Sequence, residues 1–104
     1  MHARTVTFQV QPGKMEEAIR IYRDVVSGAP QKGFKGAYLL TDGNSGKSIS
    51  VTLWETEADM LATETSGWWR QQIDKFAPVT AGAPLREHYE VGVQVPAPVE
   101  TLQR

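Results

Sequence analysis

Hydrophobic positions in this chain recur with two different periods, and the changes between them mark its elements. Val6, Phe8 and Val10 alternate with Thr5, Thr7 and Gln9, which predicts a strand over 4–10 with one buried face. Gln11-Pro12-Gly13 stops it, because proline cannot donate to a ladder and glycine favours a turn. Met15, Ala18, Ile19, Tyr22, Val25 and Val26 then fall at i, i+3, i+4, i+7, i+10 and i+11, one stripe of a helix whose other side is charged. Gly28 is expected as its left-handed cap, with Pro30 just beyond. Residues 37–41 and 47–54 read as two strands joined at Asp42-Gly43-Asn44-Ser45-Gly46, an antiparallel hairpin. In the second, Ile49, Val51 and Leu53 point one way and Ser50, Thr52 and Trp54 the other.

Thr56 is placed to cap a helix with Glu57 and Asp59 in its first turn. That helix breaks near Gly67, and Ser66 starts a further segment with Trp69, Ile73 and Phe76 on one stripe. Pro78 ends it, and 79–84 is expected as a loop. Leu85–Val95 reads as the last strand, with Tyr89, Val91, Val93 and Val95 in alternation. The order strand, helix, strand, strand, helix, strand predicts an α+β, ferredoxin-like βαββαβ protomer. Two helices would cover one face of a four-stranded antiparallel sheet. Phe8, Leu40, Trp54 and the valines of the last strand make the other face too apolar to stay wet, so a homodimer is expected to close over it.

The 104 residues suffice for one domain, read as 1–95 with a C-terminal tail at 96–104. No cysteine is present, which excludes disulfides and thiolate chemistry. Neither a signal-peptide core nor an apolar run long enough to cross a bilayer occurs, so a cytoplasmic location and no membrane partner are expected. With net charge −1 and scattered Lys and Arg, the chain lacks the basic stripe that nucleic acid demands.

Gly33-Phe34-Lys35-Gly36, the hairpin that follows, and Trp54-Glu55-Thr56-Glu57-Ala58-Asp59 together resemble the antibiotic biosynthesis monooxygenase family; His88-Tyr89-Glu90-Val91 is similar to its closing strand. The resemblance runs over roughly residues 3–95 in element order. It implies a dimeric α+β barrel with a pocket between helices and sheet in each protomer. Members include cofactor-free oxygenases of quinol- or anthrone-like aromatics and haem-degrading enzymes. The positions at which the haem-degrading branch carries its helical Trp, axial His and first-strand Asn fall at Thr63, Ile73 and Val6, so haem degradation is disfavoured.

Candidate chemistry rests on few residues. His88 could take a proton from a phenolic substrate, or serve only in a structural hydrogen bond. Tyr38 could bond a substrate oxygen, or pack against a second copy. Arg70 could hold an anionic oxygen, or lie on a solvated helix face. Adjacent Trp68 and Trp69 diverge by about a hundred degrees around a helix; Trp69 shares the core stripe and Trp68 suits a pocket wall. Trp54 and Phe8 complete the expected binding set. No metal-ligand set, phosphate loop or Ser-His-Asp triad is found. The expected function is cofactor-independent oxygenation of a small aromatic molecule, with no cofactor; the alternative is a non-catalytic ligand-binding or dimeric interaction domain.

Overall fold

The structure, a computed structural model, describes residues 1–29 and 32–96; the expectations for Pro30 and for residues 97–104 of the tail lie outside them. Strands β1 (His2–Val10), β2 (Phe34–Thr41), β3 (Lys47–Trp54) and β4 (Thr80–Glu90) form one sheet in the order β2-β3-β1-β4. Every neighbouring pair is antiparallel. Helices α1 (Met15–Ser27), α2 (Glu57–Thr65) and α3 (Trp68–Asp74), with a 3-10 turn at Ala77–Val79, complete an α+β ferredoxin-like fold.

Register explains how the sheet sorts its side chains. Val6 pairs with Ser50 and Arg4 with Thr52, so the alternating rows Arg4, Val6, Phe8, Val10 and Ser48, Ser50, Thr52, Trp54 share one face. Helices cover this face: Val10, Ala18, Val25, Phe76 and Val79 form a buried cluster, with Phe8 and Trp68 packed against it. Trp54 is fully buried, and its ring meets Phe34 edge-on at 5.3 Å between centroids. Ile49, Val51 and Leu53 point to the opposite face. Tyr38 pairs with Val51 and Leu40 with Ile49, while Leu85 and Tyr89 lie across from Thr7 and Ala3. Tyr38, Leu40, Leu85 and Tyr89 are each half exposed or more.

Three expectations need correction. The last strand is Thr80–Glu90 rather than Leu85–Val95. Its start was hidden by Gly82 and Pro84, which the edge strand absorbs in an irregularity opposite Phe8, with Gly82 at φ 77°. Its last pair is His2 with Glu90, and one further backbone bond follows, from Val91 N to Met1 O at 2.9 Å. Val93 and Val95 are exposed and outside any strand. Gly28 is not left-handed; its φ is −97°, and α1 closes instead through Gly28 N to Val25 O and Ala29 N to Val26 O, both 3.2 Å. The break between α2 and α3 falls at Gly67, whose φ of 86° no helix accepts, and this glycine rather than Ser66 precedes α3 as its N-cap.

The β2–β3 turn is pinned by Asp42, whose carboxylate accepts from Asn44 N (3.0 Å) and Ser45 Oγ (2.9 Å). These bonds hold its carboxyl below the usual range. Gly46, at φ 79°, passes so near β1 that a Cβ there would lie 2.5 Å from the Val10 carbonyl oxygen. Gly46→Ala combines a left-handed backbone with a clash against main chain, and is expected to cost about 2 kcal/mol. Urea unfolding of wild type and variant checks this.

Candidate functional site

Small side chains on the helix side of β3 decide where the site lies. Ser50 and Thr52 fill little of the space between sheet and helices, and a cavity of about 200 Å³ remains above them. Its walls are aromatic: Trp54 from β3, Trp68 and Trp69 from α3, Phe8 from β1, Phe34 from β2 and Phe76 behind α3. Phe8 and Phe76 tilt against each other at 5.7 Å. Volume and lining suit a one- or two-ring aromatic, since a cavity of about 150 Å³ already takes benzene.

Among the polar groups on this wall are Arg4, Tyr22, Gln72 and Asp74. Tyr22 comes from the buried stripe of α1; its Oη lies 3.0 Å from the Tyr38 carbonyl oxygen and 3.0 Å from Ser50 Oγ. Burial raises the phenol's pKa above its ordinary value, against the opposing hydrogen bond from Ser50 and the charge of Arg4. Gln72 is buried, and its Oε1 accepts from Lys75 Nζ at 2.9 Å. That bond fixes the amide so that Nε2, the donor end, is turned away from Lys75. Asp74 lies 4.0 Å from Arg70, one turn back on α3, and its side chain is 68% exposed.

Beside the cavity a charged cluster gathers around Glu64 on α2. Its carboxylate accepts from Arg4 Nη1 (3.1 Å) and pairs with Arg86 Nη1 (3.2 Å) and His88 Nε2 (2.7 Å). Arg4 and His88 face each other across β1 and β4, and Arg86 stands one pair along, opposite Val6. Arg4 Nη1 also donates to Thr63 Oγ1 at 2.7 Å and Met60 O at 3.4 Å. The Arg4 guanidinium lies 5.7 Å from the Trp54 ring and 6.0 Å from the Trp69 ring, while Arg86 lies 4.6 Å from Trp69. Cations over indole faces gain from the ring quadrupole. Burial still drives the Arg4 pKa down from its usual value, and the hydrogen bond to Glu64 works against that shift.

The residues singled out in the sequence divide cleanly. Trp54, Trp68, Trp69 and Phe8 come together on the cavity wall. Tyr38 lies on the opposite sheet face, 62% exposed. Arg70 is on the solvent side of α3, its side chain 72% exposed and its charge turned to Asp74. His88 is held on Glu64 beside the cavity, not on its wall. Arg4, Tyr22, Glu64, Gln72 and Asp74 went unnoticed. For Arg4 a signal existed: it is in phase with Val6, Phe8 and Val10, and a charge on an apolar row needs a buried partner.

A haem does not fit this donor set. Ile73, where the haem-degrading branch places its axial ligand, is on the cavity wall with a hydrocarbon side chain, and Thr63 is committed to Arg4 and Met60. Among the described residues no three His, Asp or Glu side chains are grouped to hold a metal ion, and no helix is long and apolar enough to cross a membrane.

Comparison with known proteins agrees with this architecture. The uncharacterised Mycobacterium tuberculosis protein Rv2557 is 34% identical over 97 residues, covering 88% of this chain and 41% of the relative. A second from the same organism, Rv2558, is 33% identical over 87 residues, covering 82% of this chain and 33% of its own length. The chain thus spans less than half of either relative. Among solved structures, a variant of SnoaB, a cofactor-independent oxygenase from Streptomyces nogalater, superposes with TM-score 0.72 at 12% identity, over 92% of this chain and 97% of that one. NE2512, a protein of unknown function from Nitrosomonas europaea, gives TM-score 0.72 at 18% identity, over 93% and 95%. A variant of MhuD with two manganese protoporphyrin IX bound per active site gives 0.70 at 21%, over 93% and 100%. At these identities the likeness is one of fold. The profile described as antibiotic biosynthesis monooxygenase matches residues 1–75, and the chain belongs to that family.

Proposed function

We propose that the cavity binds a one- or two-ring phenol or quinol and that the protein oxygenates it without a cofactor. The observation carrying this reading is the wall of three indoles, Trp54, Trp68 and Trp69, around about 200 Å³ of space. An electron-rich ring stacks on such faces and is kept from water. Asp74, largely exposed at the rim of the cavity wall, accepts the substrate proton. Gln72 Nε2 donates to the oxygen on which negative charge develops, which stabilises the enolate. The carbanion form then gives one electron to dioxygen. The resulting radical pair joins as a peroxide, and loss of water leaves a new carbonyl. One oxygen atom enters the substrate and the other leaves as water, so the ring carbon supplies all the reducing equivalents.

A second copy of the chain would cover the open sheet face. Members of this family are typically dimeric, and Tyr38, Leu40, Leu85 and Tyr89 leave a large apolar area there. Tyr38 then belongs to that contact, and His88 acts through Glu64 rather than on substrate.

Oxygen uptake with a panel of hydroquinones and naphthols tests the reaction. Uptake above the buffer rate supports it; saturable quenching of tryptophan emission with no uptake would leave a binding domain. Asp74→Asn is expected to lower kcat by about 100-fold with KM within a factor of roughly three, the pattern of a lost general base. Steady-state oxygen-electrode kinetics read both constants.

A further inference from the structure

The reaction just proposed leaves the most deeply buried charge of the site without a task. Arg4 is 2% exposed, yet it forms part of the cavity wall. Its three protein acceptors, Met60 O, Thr63 Oγ1 and Glu64 Oε2, all crowd one nitrogen, Nη1. Among the described residues no acceptor meets Nε or Nη2. Neither atom is sealed from solvent either, since the one buried side-chain nitrogen or oxygen without a partner there is His2 Nδ1. This edge is therefore reachable, and Arg4 is one of the residues that line the cavity. The Nε–Nη2 edge of a guanidinium matches the two oxygens of a carboxylate, with two parallel N–H donors in one plane.

Charge accounting points the same way. Arg4 and Arg86 bring two fixed positive charges to the cluster, and Glu64 brings one negative charge. His88 adds a further positive charge only when protonated. Asp74, the carboxylate on the cavity wall, is engaged with Arg70 and largely in solvent. The cluster thus carries about one positive charge in excess, with the buried Arg4 beside the Trp54 and Trp69 rings and the partly exposed Arg86 over Trp69. An excess of that sign favours an anionic ligand at this end of the cavity. A phenolate would supply the charge but only one oxygen for two donors.

We propose that the ligand of this cavity is an aromatic monocarboxylate, its carboxylate seated side-on against Nε and Nη2 of Arg4 and its ring between the indoles. The inference rests on the cavity being a ligand site and goes beyond it by fixing the charged group the ligand carries. It also orients the ring: the carboxylate points toward β1, and the opposite end of the ring points toward the Gln72 amide on α3.

Isothermal titration calorimetry at pH 7 with 2-naphthoate and 2-naphthamide, equal in size and differing in charge, is the test. The carboxylate is expected to bind roughly 30-fold more tightly, the worth of a charged hydrogen-bond pair. Arg4→Lys retains the charge and loses the fork, and should reduce that preference by about 10-fold. Should Arg4→Lys fail to fold, Arg86→Gln serves in its place; Arg86 is partly exposed, and removing the excess charge should reduce the preference by roughly fivefold. Equal binding of the two probes overturns the inference while leaving the cavity a ligand site. Binding of neither overturns both. A preference unchanged in the variant that folds also overturns it, because the carboxylate would then be held elsewhere.

Discussion

Glu64→Gln should be among the most destabilising single substitutions in this chain, lowering stability by about 3 kcal/mol and Tm by roughly 10–20 °C. The glutamine keeps the shape and one acceptor oxygen but removes the negative charge that Arg4, Arg86 and His88 share. Arg86 and His88 are partly exposed and can return to water. Arg4 cannot, because its side chain is 3% exposed and hemmed by Trp54 and Trp69. An uncompensated buried cation is the reason for the large figure. Burial already depresses the Arg4 pKa, with Glu64 the main group working against it. The double variant Arg4→Met, Glu64→Leu removes both charges together and is expected to cost less than Glu64→Gln alone. Thermal scans at one protomer concentration decide between these outcomes. A double variant worse than the single would show that packing, not charge, dominates here.

The sequence announces some parts of this molecule and conceals others, for physical reasons that differ by element. β1 and β3 were readable because each alternates strictly, and α1 because its apolar stripe is unbroken. The break at Gly67 was readable as well. β4 was misplaced because an edge strand tolerates a glycine and a proline that a central strand would not, while Val93 and Val95 keep a strand's alternation although they lie exposed and outside the sheet. Site residues were harder. The aromatic wall is made of large residues that serve core and cavity alike, so Trp54, Trp68, Trp69 and Phe8 could be gathered by type alone. Which strand row faces the helices is decided by register, and on β2 both rows, Ala37 with Leu39 and Tyr38 with Leu40, are apolar enough for either face. That ambiguity put Tyr38 among the candidates although it lies on the far side. Tyr22 passed for an ordinary member of the α1 stripe; only the structure brings its hydroxyl to Ser50.

Placing carboxylates at Leu40 and Leu85 together is expected to convert the proposed dimer to a monomer at micromolar concentration. Leu40 is in line with Ile49, Thr7 and Leu85 across the open face, so the two substitutions mark opposite edges of one row. Both leucines are more than half exposed in the protomer, at 52% and 57%. Glutamate at either position therefore costs the isolated chain little, and fold and cavity should survive. In a closed pair of sheets the same carboxylates would be buried without partners, at about 3 kcal/mol each. A single substitution would then put two such carboxylates into the pair of sheets, weakening association by on the order of 10,000-fold, and the double substitution by more still. Because a two-fold dimer presents each position twice, the penalty falls on both copies. Sedimentation velocity reads the outcome directly, and circular dichroism confirms that the protomer is still folded. A double variant that remains dimeric would show that the copies meet elsewhere. A wild-type chain that sediments as a monomer would leave this apolar row facing water, and the argument for a closed pair of sheets would fail with it.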